Sequence, residues 1–576
     1  MTENQPARAS GADKCDVLII GAGASGAAAA WLLARNGFKV VCLEQGPWVD
    51  PSEYVTNERD FEVRIRDAWN PHPNMRKLPQ DYPVNDAASP IKPLMYNAVG
   101  GSTIHWTAHA PRFHPSDFRV KSLDGVADDW PISYWDLEKW FDLNDVMMGC
   151  SGLAGDPANP SQTQRPMPPL PTGDDINVLI KGFDKLGWHW WPSDNYVNST
   201  PYKGRPACNN CGVNGMGCRL GAKGQTDLRY WPEAIAAGAE VRPWSRVYEV
   251  TTGSDGRATG ARYFDRQGEK QWQEARAVIV ACNGIGTPRV LLMSKSEKHP
   301  NGLANSSGYV GKCLMFHPYS AASGHFPSDL KSYRGAGANI IWSQEFYETD
   351  ASRGFVRGYT FQIGRGAPPT ATAVGLARQT VFANASKPGA WGPQHHEEFA
   401  RRFGRSMGMA AICEDLPEEH NRVDLDTHQT DSHGLPAARV TYTLSENSKR
   451  MLAHGAMMAV KVLKAAGAET VSTTPLIVNG GWHLMGTARM GEDPKRSVVN
   501  KYGQTHDIDN LFVIDGATFA TSGGVNPTPT IQAIALWAAD HIVQSRGDLK
   551  GSVGKRSETY EFGQVTSRPL RQAKRL

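Results

Sequence analysis

Three glycines near the N-terminus have the spacing of a loop that binds the pyrophosphate of a dinucleotide. Gly21, Gly23 and Gly26 stand in G-x-G-x-x-G order within the segment GAGASG. The first glycine makes a tight turn, the second lets the backbone approach the phosphates, and the third lets a helix pack closely on a strand. Glu44 follows where an acidic side chain is expected to accept hydrogen bonds from ribose hydroxyls. These residues predict a dinucleotide cofactor.

The segments around these glycines predict the elements that the motif requires. The apolar run over 16–20 predicts a buried strand, 27–36 a helix, and 39–43 a second strand. A β-rich run over 275–282, followed by a helix from Pro288, repeats the strand-turn-helix order with small residues at the turn. This order is expected where the carboxyl edge of a parallel sheet meets a ligand.

Other segments predict a second sheet and the end of the nucleotide fold. Polar and apolar residues alternate over 323–385 and 422–444, which favours an antiparallel sheet separate from the nucleotide fold. A helix is predicted over 445–466, a last buried strand over 511–515, and its helix over 530–543. The nucleotide fold is therefore expected to combine pieces that lie far apart in the sequence.

Composition excludes several classes of protein. The chain has 576 residues, of which 21% are charged, so a large folded core in two or more domains is expected. A net charge of +3 is too small to indicate binding to nucleic acid or to an anionic membrane. No apolar stretch is long enough for a spanning helix. The polar N-terminus and the cysteines in apolar runs predict a cytoplasmic protein, with export beside a signal-bearing partner as the alternative.

Three cysteines lie in one short glycine-rich segment. Cys208, Cys211 and Cys218 resemble a ferredoxin-type iron–sulfur run in which Asn214 replaces one cysteine and Arg219 replaces the usual proline. The three thiolates could hold a three-iron cluster. Alternatively, the segment is a remnant that survives for packing alone. No metal is therefore assigned to the chain at this point.

Four separated blocks resemble the glucose–methanol–choline (GMC) oxidoreductases, flavoenzymes that oxidise alcohols with FAD. The blocks are GAGASG with Glu44, VGGST at 99–103, ACNGIGTPRVLL at 281–292, and GWHLMGTARMG followed by NLFVIDGATFATSGGVNPTPTIQAIAL. Within the family the chain is most similar to the sugar and sugar-acid dehydrogenase flavoproteins, of the gluconate and glucose dehydrogenase type. It is also similar to pyranose oxidases, which share the His-Trp pair after the paired glycines and the Asn-Pro-Thr triplet near the end. The resemblance covers about 16–543.

The resemblance implies a fold and a division of the chain. The fold is α/β (α+β overall), with a Rossmann-like FAD-binding domain and a substrate-binding cap built on an antiparallel sheet. The expected ranges are 12–115, 225–318 and 498–546 for the FAD-binding domain, 116–224 and 319–497 for the cap, and 547–576 for a basic tail.

The resemblance also implies roles for particular residues. His483 corresponds to the family's catalytic base, and a neutral imidazole is available for this role at ordinary pH. Asn526 corresponds to its partner, and because an amide does not take up a proton, it is expected to orient the substrate. The expected FAD-binding residues are Gly21, Gly23, Ala24, Ser25, Gly26, Glu44, Gly100, Gly101, Ser102, His105, Trp106, Val247, Ala281, Asp515, Gly516, Asn526, Pro527 and Thr528.

Other histidines have open or weaker assignments. In some pyranose oxidases a histidine in the position of His105 carries the flavin covalently. Here Ile104 replaces the usual threonine, so a non-covalent flavin neighbour is favoured. His317 matches a family His-Pro position and is expected to face the substrate, whereas His109 and His114 are expected to be structural.

These expectations predict an FAD-dependent dehydrogenase for a polyol, sugar or sugar acid. The carbinol carbon would deliver a hydride to flavin N5 while His483 takes the hydroxyl proton, and the electrons would pass to an acceptor other than oxygen. That acceptor could be a protein or a small partner subunit. Two alternatives remain: an oxidase for a sugar or aromatic alcohol, and a flavoprotein subunit that only transfers electrons. The sequence does not specify the substrate, the acceptor or the oligomeric state.

Overall fold

The computed structural model describes residues 14–548, except 57, 59, 214 and 383–391. Most of the expected basic tail, and residues 12 and 13, lie outside the described residues. The described strands are β1 (Cys15–Ile20), β2 (Val40–Leu43), β3 (Val84–Ala88), β4 (Trp191–Pro192), β5 (Glu240–Arg242), β6 (Arg246–Thr252), β7 (Ala258–Phe264), β8 (Lys270–Val280), β9 (Tyr319–His325), β10 (Ile341–Ser343), β11 (Tyr359–Gly364), β12 (Ser406–Cys413), β13 (Arg422–Thr430), β14 (Pro436–Thr441), β15 (Thr470–Thr474) and β16 (Leu511–Val513).

The described α-helices range from single turns to one of five turns. They are α1 (Ala24–Arg35), α2 (Phe61–Arg64), α3 (Pro73–Arg76), α4 (Val120–Asp124), α5 (Tyr134–Met148), α6 (Asp174–Leu186), α7 (Tyr230–Ala236), α8 (Asn283–Met293), α9 (Pro369–Phe382), α10 (Pro393–Arg402), α11 (Glu446–Ala465) and α12 (Thr528–Gln544). Within the described part of the chain, no helix is both long and apolar enough to span a membrane.

The nucleotide fold is a parallel sheet with helices packed on it. Strands run in the order β5-β2-β1-β8, and β16 also pairs with β8. The N-terminal half of β8 continues into an antiparallel ribbon with β7 and β6. Strand β1 is fully buried, and α1 packs on α12 and α7. The Rossmann-like prediction is confirmed: strands from three distant parts of the chain form one sheet.

Helix α8 begins five residues before the predicted start at Pro288, which lies inside the helix. The Asn283 side chain accepts hydrogen bonds from the backbone N–H groups of Ile285 and Gly286, so the helix is capped earlier. Pro288 cannot donate to the carbonyl of Gly284, which accepts from the Thr487 hydroxyl at 2.8 Å instead. A distant side chain thus compensates for the proline.

A six-stranded antiparallel sheet forms the second layer of the molecule. Its strand order is β15-β9-β12-β11-β10-β4, and α11 packs against β9 and β12. The prediction of an antiparallel sheet is confirmed for this part, but its extent over 323–385 is wrong, because 369–382 forms α9. The first N–H groups of α9 donate to the carboxylate of Glu62, which lies far away in sequence.

The strands over 422–441 belong to a third, smaller sheet. Strand β14 pairs with β13 on one side and in parallel with β3 on the other. Because β3 lies within the range expected for the FAD-binding domain and β14 within the range of the cap, this sheet crosses the expected boundary. The division of the chain into these domains therefore stays a prediction, although the strands of the two large sheets fall within the expected ranges.

Candidate active site

A cavity of about 540 Å³ extends from the carboxyl edge of the parallel sheet to the face of the antiparallel sheet. Of the predicted site residues, two do not line it: Gly26 and Gly100. Those that do are Gly21, Gly23, Ala24, Ser25, Glu44, Gly101, Ser102, His105, Trp106, Val247, Ala281, His483, Asp515, Gly516, Asn526, Pro527 and Thr528. One cavity thus collects residues from the whole length of the chain.

Gly23 and Gly26, which lie at the start of α1, have different tasks. A Cβ atom on Gly23 would meet nothing within 4 Å, so this residue leaves open space at the N-terminus of α1. A Cβ atom on Gly26 would lie 2.0 Å from the carbonyl oxygen of Gly21. Gly26 therefore permits close packing behind the wall, whereas Gly23 keeps room for an anionic group at a helix N-terminus.

Glu44 and Asp515 place carboxyl groups in the same cavity wall. Glu44 accepts hydrogen bonds from the N–H groups of Ala22 and Gly46, both at 2.9 Å. Asp515 accepts from the Thr287 hydroxyl at 2.6 Å and from the N–H of Asn283 at 2.9 Å. Burial raises the pKa of Glu44 to about 7 and that of Asp515 to about 6. These bonds fix both side chains as acceptors for polar groups of a ligand.

The loop after strand β3 brings an aromatic wall to the middle of the cavity. A Cβ atom on Gly101 would lie 2.9 Å from Cα of Gly23, so this loop packs directly on the dinucleotide loop. A Cβ atom on Gly100 would lie 2.9 Å from a carboxylate oxygen of Asp227, so the other side of this loop packs on Asp227. His105 is surrounded by the rings of Trp69, Tyr96 and Trp482. Neither ring nitrogen of His105 has a hydrogen-bond partner among the described residues.

At the far end of the cavity His483 is held by a second histidine. Its Nδ1 lies 2.7 Å from Nδ1 of His317, and its Nε2 lies 3.4 Å from the amide nitrogen of Asn526. Nε2 of His317 lies 2.6 Å from the carbonyl oxygen of Gly523. His317 does not line the cavity, contrary to the expectation that it faces the substrate. It lies behind His483 as its support.

These contacts fix the positions of the protons one after another, starting from the backbone carbonyl of Gly523. A backbone carbonyl only accepts, so Nε2 of His317 carries the hydrogen and its Nδ1 is the acceptor. Nδ1 of His483 must then be the donor, which leaves a lone pair on Nε2 of His483. The amide group of Asn526 donates to that lone pair. Burial, with the neighbouring His317 and His109, holds the pKa of His483 well below its ordinary value.

His109 lies in the cavity wall beside Asn526, and its expected structural role stays a prediction. Its Nδ1 is 2.8 Å from the side-chain oxygen of Asn526 and 2.8 Å from the amide nitrogen of Gln362. Gln362, on β11, also donates to the Asn526 oxygen. Sequence reasoning missed Gln362, since no motif surrounds it. His114 lies outside the cavity wall and contacts Glu348 and Gln344, as expected of a structural residue.

Comparison with known proteins agrees with this geometry. Family models described as GMC oxidoreductase match 169–319 and 417–535, and one described as NAD(P)-binding Rossmann-like domain matches 19–78. The 2-methyl-1,2-propanediol dehydrogenase of Mycolicibacterium austroafricanum is 42% identical over 544 residues, which cover 93% of this chain and 97% of the relative. The fructose dehydrogenase large subunit of Gluconobacter japonicus is 32% identical over 553 residues, which cover 93% and 98%.

The chain belongs to the GMC oxidoreductase family. A solved structure shares the fold: a formate oxidase variant from Aspergillus oryzae, studied for FAD modification, aligns with a TM-score of 0.63 at 13% identity. The alignment covers 94% of this chain and 100% of that one. GMC oxidoreductases are FAD flavoproteins, and this member is an FAD-dependent oxidoreductase that acts on alcohol groups.

The residues of this GMC oxidoreductase fit FAD. The open space at Gly23 would hold the pyrophosphate at the N-terminus of α1, and Glu44 would hold the ribose. His105 lines the same cavity where the flavin would lie, although its ring nitrogens are fully buried. A covalent bond from His105 to the flavin stays a prediction, as does the role of each residue toward FAD.

The cysteine segment packs beside His105 in the wall of the GMC cavity. Gly215 lines the cavity, the N–H of Gly217 donates to the carbonyl of Ile104 at 2.8 Å, and the Lys223 ammonium donates to the same carbonyl at 2.8 Å. The described residues contain no group of three or more His, Cys, Asp or Glu side chains arranged to hold a metal ion. Asn214, which replaces a cysteine of the iron–sulfur pattern, lies outside the described residues.

Proposed function

We propose that this enzyme oxidises a polyol, sugar or sugar acid, with His483 as the base and Asn526 as the group that orients the substrate. Bound FAD supplies the hydride acceptor, at flavin N5. His483 takes the hydroxyl proton on Nε2, and the amide of Asn526 donates to the substrate oxygen. The two relatives named above act, by their names, on molecules with several hydroxyl groups.

The observation that carries this proposal is the direction of the hydrogen bonds behind His483. The contact of 2.7 Å with His317 fixes a hydrogen on Nδ1 and leaves the lone pair on Nε2, where a substrate hydroxyl would replace the contact of 3.4 Å from the Asn526 amide. Burial keeps the imidazole uncharged, as a base must be before it reacts. Tyr319, whose hydroxyl lies 3.4 Å from Nδ1 of His483, adds a second contact that holds the ring.

The experiment is the anaerobic reduction of bound flavin by a polyol, followed by stopped-flow absorbance. His483→Ala is expected to lower the reduction rate by about 10²- to 10⁴-fold while FAD content stays unchanged, because a positioned base contributes a factor of this size. His420→Ala is the control, since this histidine contacts Thr443 at an exposed site. Unchanged flavin reduction in His483→Ala would refute the assignment and favour a subunit that only transfers electrons.

We also propose that the electrons leave to an acceptor other than oxygen. The two relatives named above both bear the name dehydrogenase, which supports this direction. One of them is named a large subunit, which supports a protein acceptor or a small partner subunit. Hydrogen peroxide formed in air, at the rate seen with a dye acceptor, would favour the oxidase instead.

A further inference from the structure

The side-chain oxygen of Asn526 is held by two hydrogen-bond donors on the side that faces away from His483. Nδ1 of His109 lies 2.8 Å from this oxygen, and the side-chain amide of Gln362 donates to it as well. At the other end of the same side chain, the amide nitrogen lies 3.4 Å from Nε2 of His483. One amide group thus joins His483 to a supporting pair, His109 and Gln362, that lies in no sequence motif.

The hydrogen positions determine which way round this amide lies. The oxygen and the nitrogen of an asparagine exchange places when its side-chain amide turns by 180°. Nε2 of His483 carries a lone pair, so the nitrogen of Asn526 faces His483 and its oxygen faces the supporting pair. Nδ1 of His109 then carries the hydrogen. Both ends of the amide therefore specify the same orientation.

The backbone on both sides of His109 is fixed by a neighbouring segment. The N–H of Tyr196 donates to the carbonyl of Ala108 at 2.8 Å, and the N–H of Ala110 donates to the carbonyl of Asp194 at 2.9 Å. Ala108 itself has a φ of 62°, in the left-handed region that residues other than glycine rarely adopt. Such strain persists where the surrounding structure dictates the conformation, and it is concentrated at functional sites. A strained residue thus stands directly before the histidine that makes this contact.

Gln362 comes from the middle of the antiparallel sheet. Strand β11 lies between β10 and β12, and Gln362 pairs with Trp342 on one side and with Ala410 on the other. The ring of Trp342 also meets the ring of His109 edge-on, with centroids 5.4 Å apart. Groups on paired strands keep their positions better than groups on loops. The supporting pair is therefore a rigid backing for the side chain of Asn526.

The second ring nitrogen of His109 is not available to a substrate. This atom, Nε2, is fully buried, and the residue as a whole is only 1% exposed. Burial lowers the pKa of His109 to about 4, so the ring is neutral at ordinary pH and its one hydrogen is on Nδ1. Any effect of His109 on the reaction therefore has to pass through Asn526.

We propose that His109 and Gln362 are positioning residues that keep the N–H groups of the Asn526 amide directed at the reacting hydroxyl oxygen. As His483 removes the proton, negative charge develops on that oxygen, and a donor that is already in place stabilises this charge. If the amide turned over, its own oxygen would face the developing charge and repel it. This inference rests on the proposed roles of His483 and Asn526, and it adds the residues that determine the orientation of the amide.

The expected effect falls on the rate of the reaction more than on binding of the substrate. Removing a donor to a developing oxyanion lowers kcat by about 10²- to 10³-fold. Because either member of the supporting pair still holds the amide when the other is lost, His109→Phe and Gln362→Leu should each lower the rate of flavin reduction by about 5- to 50-fold. The half-saturating polyol concentration should change less than about 3-fold, since the charge develops only in the transition state.

Matched variants separate the hydrogen bond from the packing of the side chain. His109→Asn places an amide hydrogen where the Nδ1 hydrogen stood, and it should recover most of the rate that His109→Phe loses. Gln344→Leu is the control, because Gln344 is a buried glutamine that contacts His114 and Asn159 and does not line the cavity. Its rate should be unchanged. All rates are expressed per bound FAD, which absorbance measures.

The decisive measurement is a double-mutant cycle with Asn526→Ala, which removes the shared acceptor. His109→Phe should slow flavin reduction in the unmodified enzyme but change it less than about 2-fold in the Asn526→Ala background. Gln362→Leu should behave in the same way, and it decides the question if His109→Phe does not hold FAD. A role in packing alone would lower the rate by the same factor in both backgrounds.

Two results would overturn the proposal. The first is an equal loss of rate in both backgrounds, and the second is a His109→Asn variant that is as slow as His109→Phe. Neither result bears on the role of His483, because His483→Ala would still lower flavin reduction. Unchanged flavin reduction in His483→Ala would instead refute the proposed function, and this inference with it.

Discussion

Replacing His317 separates the positioning of His483 from its proposed role as the base. His317→Leu removes the acceptor that lies 2.7 Å from Nδ1 of His483, and among the residues that the structure describes the Tyr319 hydroxyl, at 3.4 Å, is then the remaining contact of that nitrogen. His483 can then shift its hydrogen to Nε2 or rotate, and either change blocks proton uptake from the substrate.

The size of the effect follows from the lost bond. An unsatisfied buried donor costs about 1–3 kcal/mol, which corresponds to about 5- to 150-fold in rate when the penalty falls on the reactive geometry. His317→Asn is the matched variant, because its side-chain oxygen can accept from His483 in the place of Nδ1. We expect it to recover most of the rate.

The assay is anaerobic flavin reduction at saturating polyol, measured after a pH jump between pH 8 and pH 4. Burial lowers the pKa of His317 to about 4, so its Nδ1 remains an acceptor at any pH above that value. A base with a lowered pKa is uncharged down to lower pH, so the rate of the unmodified enzyme should stay level as the pH falls through the ordinary histidine pKa near 6.5.

Two outcomes would contradict this reasoning. The first is a fall in rate centred near pH 6.5, the ordinary pKa of histidine, in the unmodified enzyme. The second is a rate in His317→Leu equal to that of the unmodified enzyme at full FAD occupancy. In that case the contact between the two histidines would be only a packing contact.

Two further perturbations test the cofactor wall and the buried carboxyl groups. Gly23→Ala should lower FAD content at least about 10-fold with little change in thermal stability. Gly26→Ala, whose Cβ would lie 2.0 Å from the Gly21 oxygen, should destabilise the fold by about 1–3 kcal/mol or more. Equal melting temperatures of the two variants would contradict this. Asp415 is a buried carboxyl group outside the cavity wall that accepts hydrogen bonds from the hydroxyls of Tyr442 and Ser448. Burial raises its pKa to about 7, so the folded chain holds a proton that the unfolded chain releases above about pH 4. Stability should therefore fall as the pH rises from 4 to 7, by up to about 4 kcal/mol, and urea unfolding of Asp415→Asn should show a shallower fall.

The nucleotide fold was predictable because its signals are local. The glycine motif, the apolar strand before it and the acidic residue after the second strand lie within 30 residues, and each follows from backbone geometry. Helix α9 was not predictable, because its first N–H groups are capped by Glu62, some 300 positions away. No window of sequence contains both partners.

The residues of the site also separate into those that lie in local motifs and those that do not. His483 and Asn526 lie in recognisable motifs, so the resemblance located them both. His109 and Gln362 lie in no motif, and only the pairing of β11 with its neighbours brings Gln362 to Asn526. The supporting position of His317 was equally hidden, because it depends on a carbonyl of Gly523 from another part of the chain.

One short segment, 522–528, makes contacts that can form only after most of the chain has been synthesised. Its carbonyl groups orient His317, Asn526 faces His483, and Thr528 lines the cofactor cavity as α12 begins. A ribosome therefore has to finish almost the entire polypeptide before any of these three tasks can be performed. Nascent chains that contain only the N-terminal nucleotide loop therefore lack all three of these contacts.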